Sequence, residues 1–243
     1  MGIYNAAATI ASQMTIFLGA FVSIFSPTVS DLHNRGNHKE LTSLFAITTK
    51  WVFLLTLPLF IILVIFSKSI MLIFGREFVS GWIVLVILAL AQLVNAGTGP
   101  VGMLLQMVGK QDIDFINGIV LALLNIGLDV WLIPIYGMVG AAIATSLALI
   151  LIHIARLTEV AVIFKMIPYD ARYIKPIIAA ITSALVAITM KTNFTDWPSW
   201  LVIFTTFFTL STIYTAVLHW MGLDQEDKIV LKAIKMKILQ LFC

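Results

Sequence analysis

The 243-residue chain is 60% hydrophobic and only 11% charged, whereas an ordinary soluble domain is under half apolar and about a quarter charged. That balance belongs to a lipid-embedded chain, and a net charge of +3 is too small to argue for nucleic acid as a partner. The single cysteine, Cys243, is the last residue, which excludes an intrachain disulfide and leaves the redox compartment open.

A spanning helix needs about 20 mostly apolar residues. The sequence predicts seven: residues 4–29, 41–66, 81–108, 113–135, 138–164, 174–190 and 199–221. The expected fold is therefore all-α, a polytopic membrane helix bundle over residues 1–223, followed by an amphipathic cytoplasmic tail helix over residues 224–243. The first stretch has no basic residues ahead of it and does not read as a cleaved signal peptide. Ala6 stands where a myristoylation motif wants Ser or Thr.

The first predicted span places Asn5, Thr9, Ser12, Gly19 and Ser23 on one face, with Gln13 beside them. Such a stripe suits either a hydrated cavity or close packing by small residues. In the second span Lys50 stands next to Trp51 on the inner half. There the long side chain either snorkels toward the interface or meets a lipid-linked phosphate. The third span carries the run Asn95-Ala96-Gly97-Thr98-Gly99-Pro100 near mid-membrane. Pro100 removes a backbone hydrogen bond, and irregular backbone at that depth is tolerated only where protein or a water-filled cavity satisfies the freed groups. On helical spacing Gln92, Asn95, Gly99, Gly102 and Gln106 share a face that either lines a cavity or shapes packing.

The fourth span carries Asn117, Asn125 and Asp129 on one stripe. A carboxylate inside a span is costly and usually faces the protein interior. Asp129 is therefore a candidate proton or cation site or sugar contact, with a plain interhelical bond as the alternative. The fifth opens with Gly140, Ala144 and Ala148, a small-residue ridge that lets helices approach closely. Farther along it, His153, Arg156 and Glu159 follow at steps of three. Arg156 can pair with Glu159 or contact a lipid-linked phosphate. In the tail, Leu231, Ile234, Ile238 and Leu241 recur at helical spacing, with Lys228, Lys232 and Lys235 on another face. This reads as a helix lying on an anionic leaflet.

Charge orients the bundle. One set of alternating loops and flanks holds Arg35, Lys39, Lys110, Lys165, Arg172, Lys175, Lys228, Lys232, Lys235 and Lys237, and the other holds Lys68, Arg76 and Lys191. Ten against three puts the C-terminus in the cytoplasm and the N-terminus outside. An outside start with no flanking charge reads as the later part of something longer. The sequence has no HExxH, no Gly-rich phosphate loop, no Cys/His cluster of metal spacing and no GxSxG elbow, so neither an enzyme nor a cofactor is expected.

Four stretches carry a family resemblance. They are Gly2-Ile3-Tyr4-Asn5-Ala6-Ala7, Ser26-Pro27-Thr28-Val29-Ser30, Ile73-Phe74-Gly75-Arg76-Glu77-Phe78, and Asn125 with Leu132-Ile133-Pro134-Ile135-Tyr136-Gly137-Met138-Val139-Gly140-Ala141-Ala142-Ile143-Ala144-Thr145. In this order they resemble the C-terminal half of the polysaccharide and lipid-linked oligosaccharide flippases, within the multidrug/oligosaccharidyl-lipid/polysaccharide exporter superfamily. The resemblance implies the eighth to fourteenth helices of a two-lobed plasma-membrane transporter working by alternating access. Its partners would be membrane lipids, a lipid-linked glycan as substrate, and either a missing N-terminal lobe or a second copy. Candidate cavity residues are Asn5, Gln13, Gln92, Asn95, Asn117, Asn125 and Asp129, and Lys50 and Arg156 are candidate contacts for a lipid phosphate at the cytoplasmic side. A small-solute antiporter of the same superfamily and a non-transporting membrane fragment are the alternatives.

Overall fold

A computed structural model of the chain describes residues 2–169, 174–193 and 199–220, and every regular element in them is helical. The first span is one long rod: α1 (Gly2–Ser12) continues through a 3₁₀ turn at Gln13–Thr15 into α2 (Ile16–Asn34). α3 (His38–Ile65) follows, then a short α4 (Ser67–Leu72) and a 3₁₀ segment at Arg76–Gly81. In place of one predicted span at 81–108 there are two pieces, α5 (Trp82–Thr98) and α6 (Val101–Met107). α7 (Gln111–Tyr136) and α8 (Met138–Phe164) make a tight hairpin. α9 (Ile174–Asn193) and α10 (Ser199–Trp220) make the last pair.

Five rods are long and apolar enough to cross a bilayer: Gly2–Asn34, His38–Ile65, Arg76–Thr98, Gln111–Tyr136 and Met138–Phe164. The apolar stretches Ile177–Thr192 and Leu201–Ala216 of α9 and α10 add two more helices. The chain is thus a multi-pass, all-α membrane bundle, as hydropathy predicts. The predicted tail helix at 224–243 lies outside the described residues.

The hairpin order gives the bundle two ends. The near end holds the start of α1, the α3–α5 connection and the α7–α8 turn. The far end holds the α2–α3, α6–α7 and α8–α9 connections. Each has its own core. At the near end Ala7 and Ala11 pack with Met71, Val84, Leu85, Leu88 and Ala142. At the far end Val29, Leu32, Leu41 and Phe45 pack with Val101, Leu104, Leu105 and Val160. Phe21, Phe25, Ile47, Val52 and Ala96 lie between them. The far-end start of α3 is capped by the Asn37 side chain, which accepts from the Glu40 N–H at 3.3 Å, satisfying one of the orphan donors of a helix N-terminus.

α8 meets α7 across the small-residue ridge. Ala144 and Ala148 are fully buried, and a Cβ at Gly140 would run into the Leu132 backbone of α7. The opposite side of α7 is apolar and open, with Phe115 71% and Val130 73% exposed beside Leu123, Ile126 and Trp131, as a lipid-facing surface is. α10 docks on α3 through the Tyr214 hydroxyl, which donates to the Leu54 carbonyl at 2.7 Å. The Lys191 ammonium of α9 donates to the Ile65 carbonyl.

Candidate functional site

The α1–α2 rod buries Ala7, Ala11, Met14, Phe21 and Phe25. Its opposite face carries Asn5, Thr9, Ser12, Gln13, Gly19 and Ser23, all exposed, with Ile16 the large apolar side chain among them. Their hydrogen bonds turn back onto the rod: Ser12 Oγ to the Thr9 carbonyl (2.7 Å), Gln13 Nε2 to the same carbonyl (3.4 Å), Thr15 Oγ1 to the Ser12 carbonyl (2.8 Å) and Ser23 Oγ to the Ala20 carbonyl (2.8 Å). Hydrocarbon offers nothing to amides and hydroxyls. This stripe contrasts with the apolar open face of α7 and belongs against water or another protein surface.

At the near end three helices share a polar node. The Tyr4 hydroxyl on α1 and the Thr145 hydroxyl on α8 lie 3.1 Å apart in a hydrogen bond. Asn125 Nδ2 on α7 donates to the same Thr145 oxygen at 3.3 Å. One helical turn beyond Asn125 stands Asp129, whose Oδ1 is shielded from solvent and has no hydrogen-bond partner among the described residues. Tyr4 and Asn5 also line a hollow of about 300 Å³ with Ile133 and Met138.

The broken span is satisfied by neighbours. Gly99 adopts φ +73°, beyond the reach of most side chains, and a Cβ there would collide with Thr49 of α3. The prolines at 27, 58 and 134 sit inside unbroken helices, so the break at Pro100 needs Gly99 in front of it. Val101 N–H bonds the Gly99 carbonyl at 2.8 Å instead of reaching back four residues. The Gly97 carbonyl thereby set free accepts from the Tyr169 hydroxyl at 3.1 Å. Asn95 Nδ2 donates to Gln92 Oε1 at 3.1 Å, so these two candidates are brought together. Beyond the break, Gln106 bonds Asp114 of α7. Lys50, one residue along α3 from Thr49, is 7% exposed. A groove of about 480 Å³ beside the break is lined by Phe53, Leu93, Val94, Gly97 and Tyr169.

At the far end the pairing differs from the sequence expectation. Arg156 does not pair with Glu159 one turn along α8. Its Nη2 lies 2.7 Å from Asp114 Oδ1 on α7, with side-chain exposures of 17% and 13%. Glu159 instead accepts from Asn117 Nδ2 at 2.7 Å, and Gln106 Nε2 donates to Asp114 Oδ2 at 2.7 Å. Cross-helix geometry outbids helical neighbourhood because α7 and α8 lie closely side by side. Asn117 and Asn125 therefore both face α8. Asp114 and Tyr169 were not singled out from sequence, and Thr145 stands there only as the last residue of the motif that opens α8. Asp114 reads there as an ordinary acidic residue in a helix's first turn, and Tyr169 as an isolated hydroxyl. Among the described residues no three His, Cys, Asp or Glu gather as metal ligands would.

Fold and site together define a multi-pass helical membrane bundle with an apolar open side on α7, a polar stripe on α1–α2, and a broken span between two separately packed ends. No protein-family profile matches the chain. Over 149 residues it is 30% identical to a probable low-salt glycan biosynthesis flippase, Agl15, of Haloferax volcanii, covering 61% of this chain and 32% of that one. By structure it is similar to the lipid II flippase MurJ in an inward closed conformation, with a TM-score of 0.63 at 19% identity, over 88% of this chain and 47% of that chain. The chain thus spans less than half the length of either. Both of these proteins are flippases by name, one of glycan biosynthesis and one of lipid II.

Proposed function

We propose that the chain is one lobe of a flippase that moves polyprenyl-phosphate-linked glycans from the inner to the outer leaflet of the plasma membrane by alternating access. The observation that carries this reading is the exposed polar stripe of α1–α2 on an otherwise lipid-compatible bundle. It is the wall of a cavity whose other wall is a second lobe. The names of the sequence relative and of the structural neighbour supply the substrate class. The basic far-end loops, Arg35, Lys39, Lys110 and Lys165, support a cytoplasmic far end and an outside N-terminus.

Within the cavity, Asn5 and Gln13 meet the glycan headgroup directly, and Gln92, Asn95, Asn117 and Asn125 shape the polar interior. Asp129 couples transport to a proton or cation gradient: its Oδ1 is shielded from solvent without a hydrogen-bond partner among the described residues, and a carboxylate can take up a proton or a cation there. Lys50 and Arg156 sit on the side from which a lipid phosphate arrives, and Arg156 meets it only by loosening its hold on Asp114. No covalent step is involved. The test is translocation of a labelled lipid-linked sugar by the complex purified from native membranes and reconstituted in vesicles, with every chain in it identified. Protected label with a second lobe present is expected. A complex that contains a second lobe and leaves the label in the outer-added leaflet sinks the reading.

A further inference from the structure

The two pieces of the broken span are fastened to different neighbours. α5 is held at the near side by α8, where Ser146 Oγ donates to the Ile87 carbonyl at 3.1 Å. α6 is held at the far side by the charged cluster. Gln106 bonds Asp114 Oδ2, and Asp114 Oδ1 meets Arg156. A Cβ on Gly102 would come within 3.4 Å of Asp114 Oδ1 and 3.7 Å of the Arg156 guanidinium, so α6 lies directly on the ion pair.

α6 also has a second attachment. Val101, Leu104 and Leu105 pack in the far-end core with Val29 and Leu32 of α2, a core that Leu41 and Phe45 of α3 and Val160 of α8 complete. α2 is itself set off from α1 by the 3₁₀ turn at Gln13–Thr15. A mid-helix 3₁₀ turn and a Gly-Pro break are both places where backbone angles can change without dismantling a helix. They fall on neighbouring rods, each between the near-end and far-end cores.

We propose that α6 and the far half of the α1–α2 rod form one hinged unit, pivoting at Gly99–Pro100 and Gln13–Thr15, and that the Asp114–Arg156 ion pair latches this unit to the α7–α8 hairpin. An ion pair of low exposure suits a latch. Removing one partner leaves an uncompensated charge in a poorly solvated place, so the closed position is discrete and not one of a continuum. The inference concerns the lobe's mechanics and stands whatever the substrate is.

The test uses the full chain in native membranes with Cys243→Ser, the sequence's one cysteine, and a reporter cysteine at one of two fully buried sites, Leu105→Cys on α6 or Val84→Cys on α5, both 0% exposed. Labelling by a membrane-permeant maleimide is timed. Arg156→Gln and Asp114→Asn are each expected to speed labelling at 105 by roughly tenfold or more while leaving 84 unchanged. Asp114→Asn keeps the side-chain shape and the contact to Gln106, so it reads the charge alone if Arg156→Gln folds poorly. Unchanged labelling at 105 in Asp114→Asn overturns the latch. Equal acceleration at 84 and 105 also overturns it, because the pair would then hold the whole fold and not a hinged part.

Discussion

At Gly140 the backbone of α8 comes against α7 so closely that a single methyl has no room beside Leu132. Gly140→Ala therefore separates the hairpin, and overpacking of this kind costs about 1–3 kcal/mol, read as a lowered unfolding midpoint in mixed micelles. Gly118→Ala on α7, where a Cβ meets nothing within 4 Å, is the control and should not destabilise; its gain in helix propensity is at most about 1 kcal/mol. Asp129 makes the opposite prediction. Its Oδ1 has no hydrogen-bond partner among the described residues to lose, so Asp129→Asn is expected to leave stability within roughly 0.5 kcal/mol. The same variant should abolish the response of translocation to an imposed proton or cation gradient. A variant whose gradient response equals that of the parent removes Asp129 from coupling.

Between elements, the broken span depends on a hydroxyl from far along the chain. Tyr169 caps the Gly97 carbonyl, and Tyr169→Phe is expected to cost roughly 0.5–1.5 kcal/mol without moving the helices. Burial raises the Tyr169 phenol above its ordinary value, which is about 10. The folded state favours the protonated donor, so this contribution is intact below about pH 10 and declines as pH rises toward the folded value. In an unfolding series from pH 7 to 11, the parent's advantage over Tyr169→Phe should be flat at first and shrink only at the alkaline end. The seven apolar stretches were legible because lipid imposes length and hydropathy on each helix separately. The polar stripe on the first span, the weak point at Gly99-Pro100 and the ridge at Gly140 were legible too, since each is a local pattern. The partners were not. Arg156 has an acid one turn away at Glu159 and another 42 residues back at Asp114, and only the side-by-side packing of α7 and α8 selects the second. The Gln13–Thr15 turn carries no proline or glycine to announce it.

For the whole molecule, the two kinds of exposed surface make a test that separates folding from assembly. The α7 surface is apolar and needs only lipid. The α1–α2 stripe is polar and small-residued, and on the transport-lobe reading it faces a cavity and a second lobe. Gly19 lies on that stripe, exposed, with nothing within 4 Å of where a Cβ would stand. Gly19→Leu therefore sets its Cβ in open space on an exposed face and gains helix propensity of up to about 1 kcal/mol. Thermal stability of the isolated chain should hold or rise. Translocation of lipid-linked sugar by the assembled complex should fall by tenfold or more, on the order of 1.4 kcal/mol of lost interaction or closure, because the new side chain projects into the space between the lobes. Ala11→Leu, on the fully buried face of the same rod, should do the reverse in order: stability falls first, by about 1–3 kcal/mol, and transport fails only as a consequence. If Gly19→Leu lowers stability as Ala11→Leu does, the stripe is packed within this chain's own fold. If it changes neither stability nor transport, the stripe is a lipid-facing surface after all, and the second lobe must be sought on another side of the bundle.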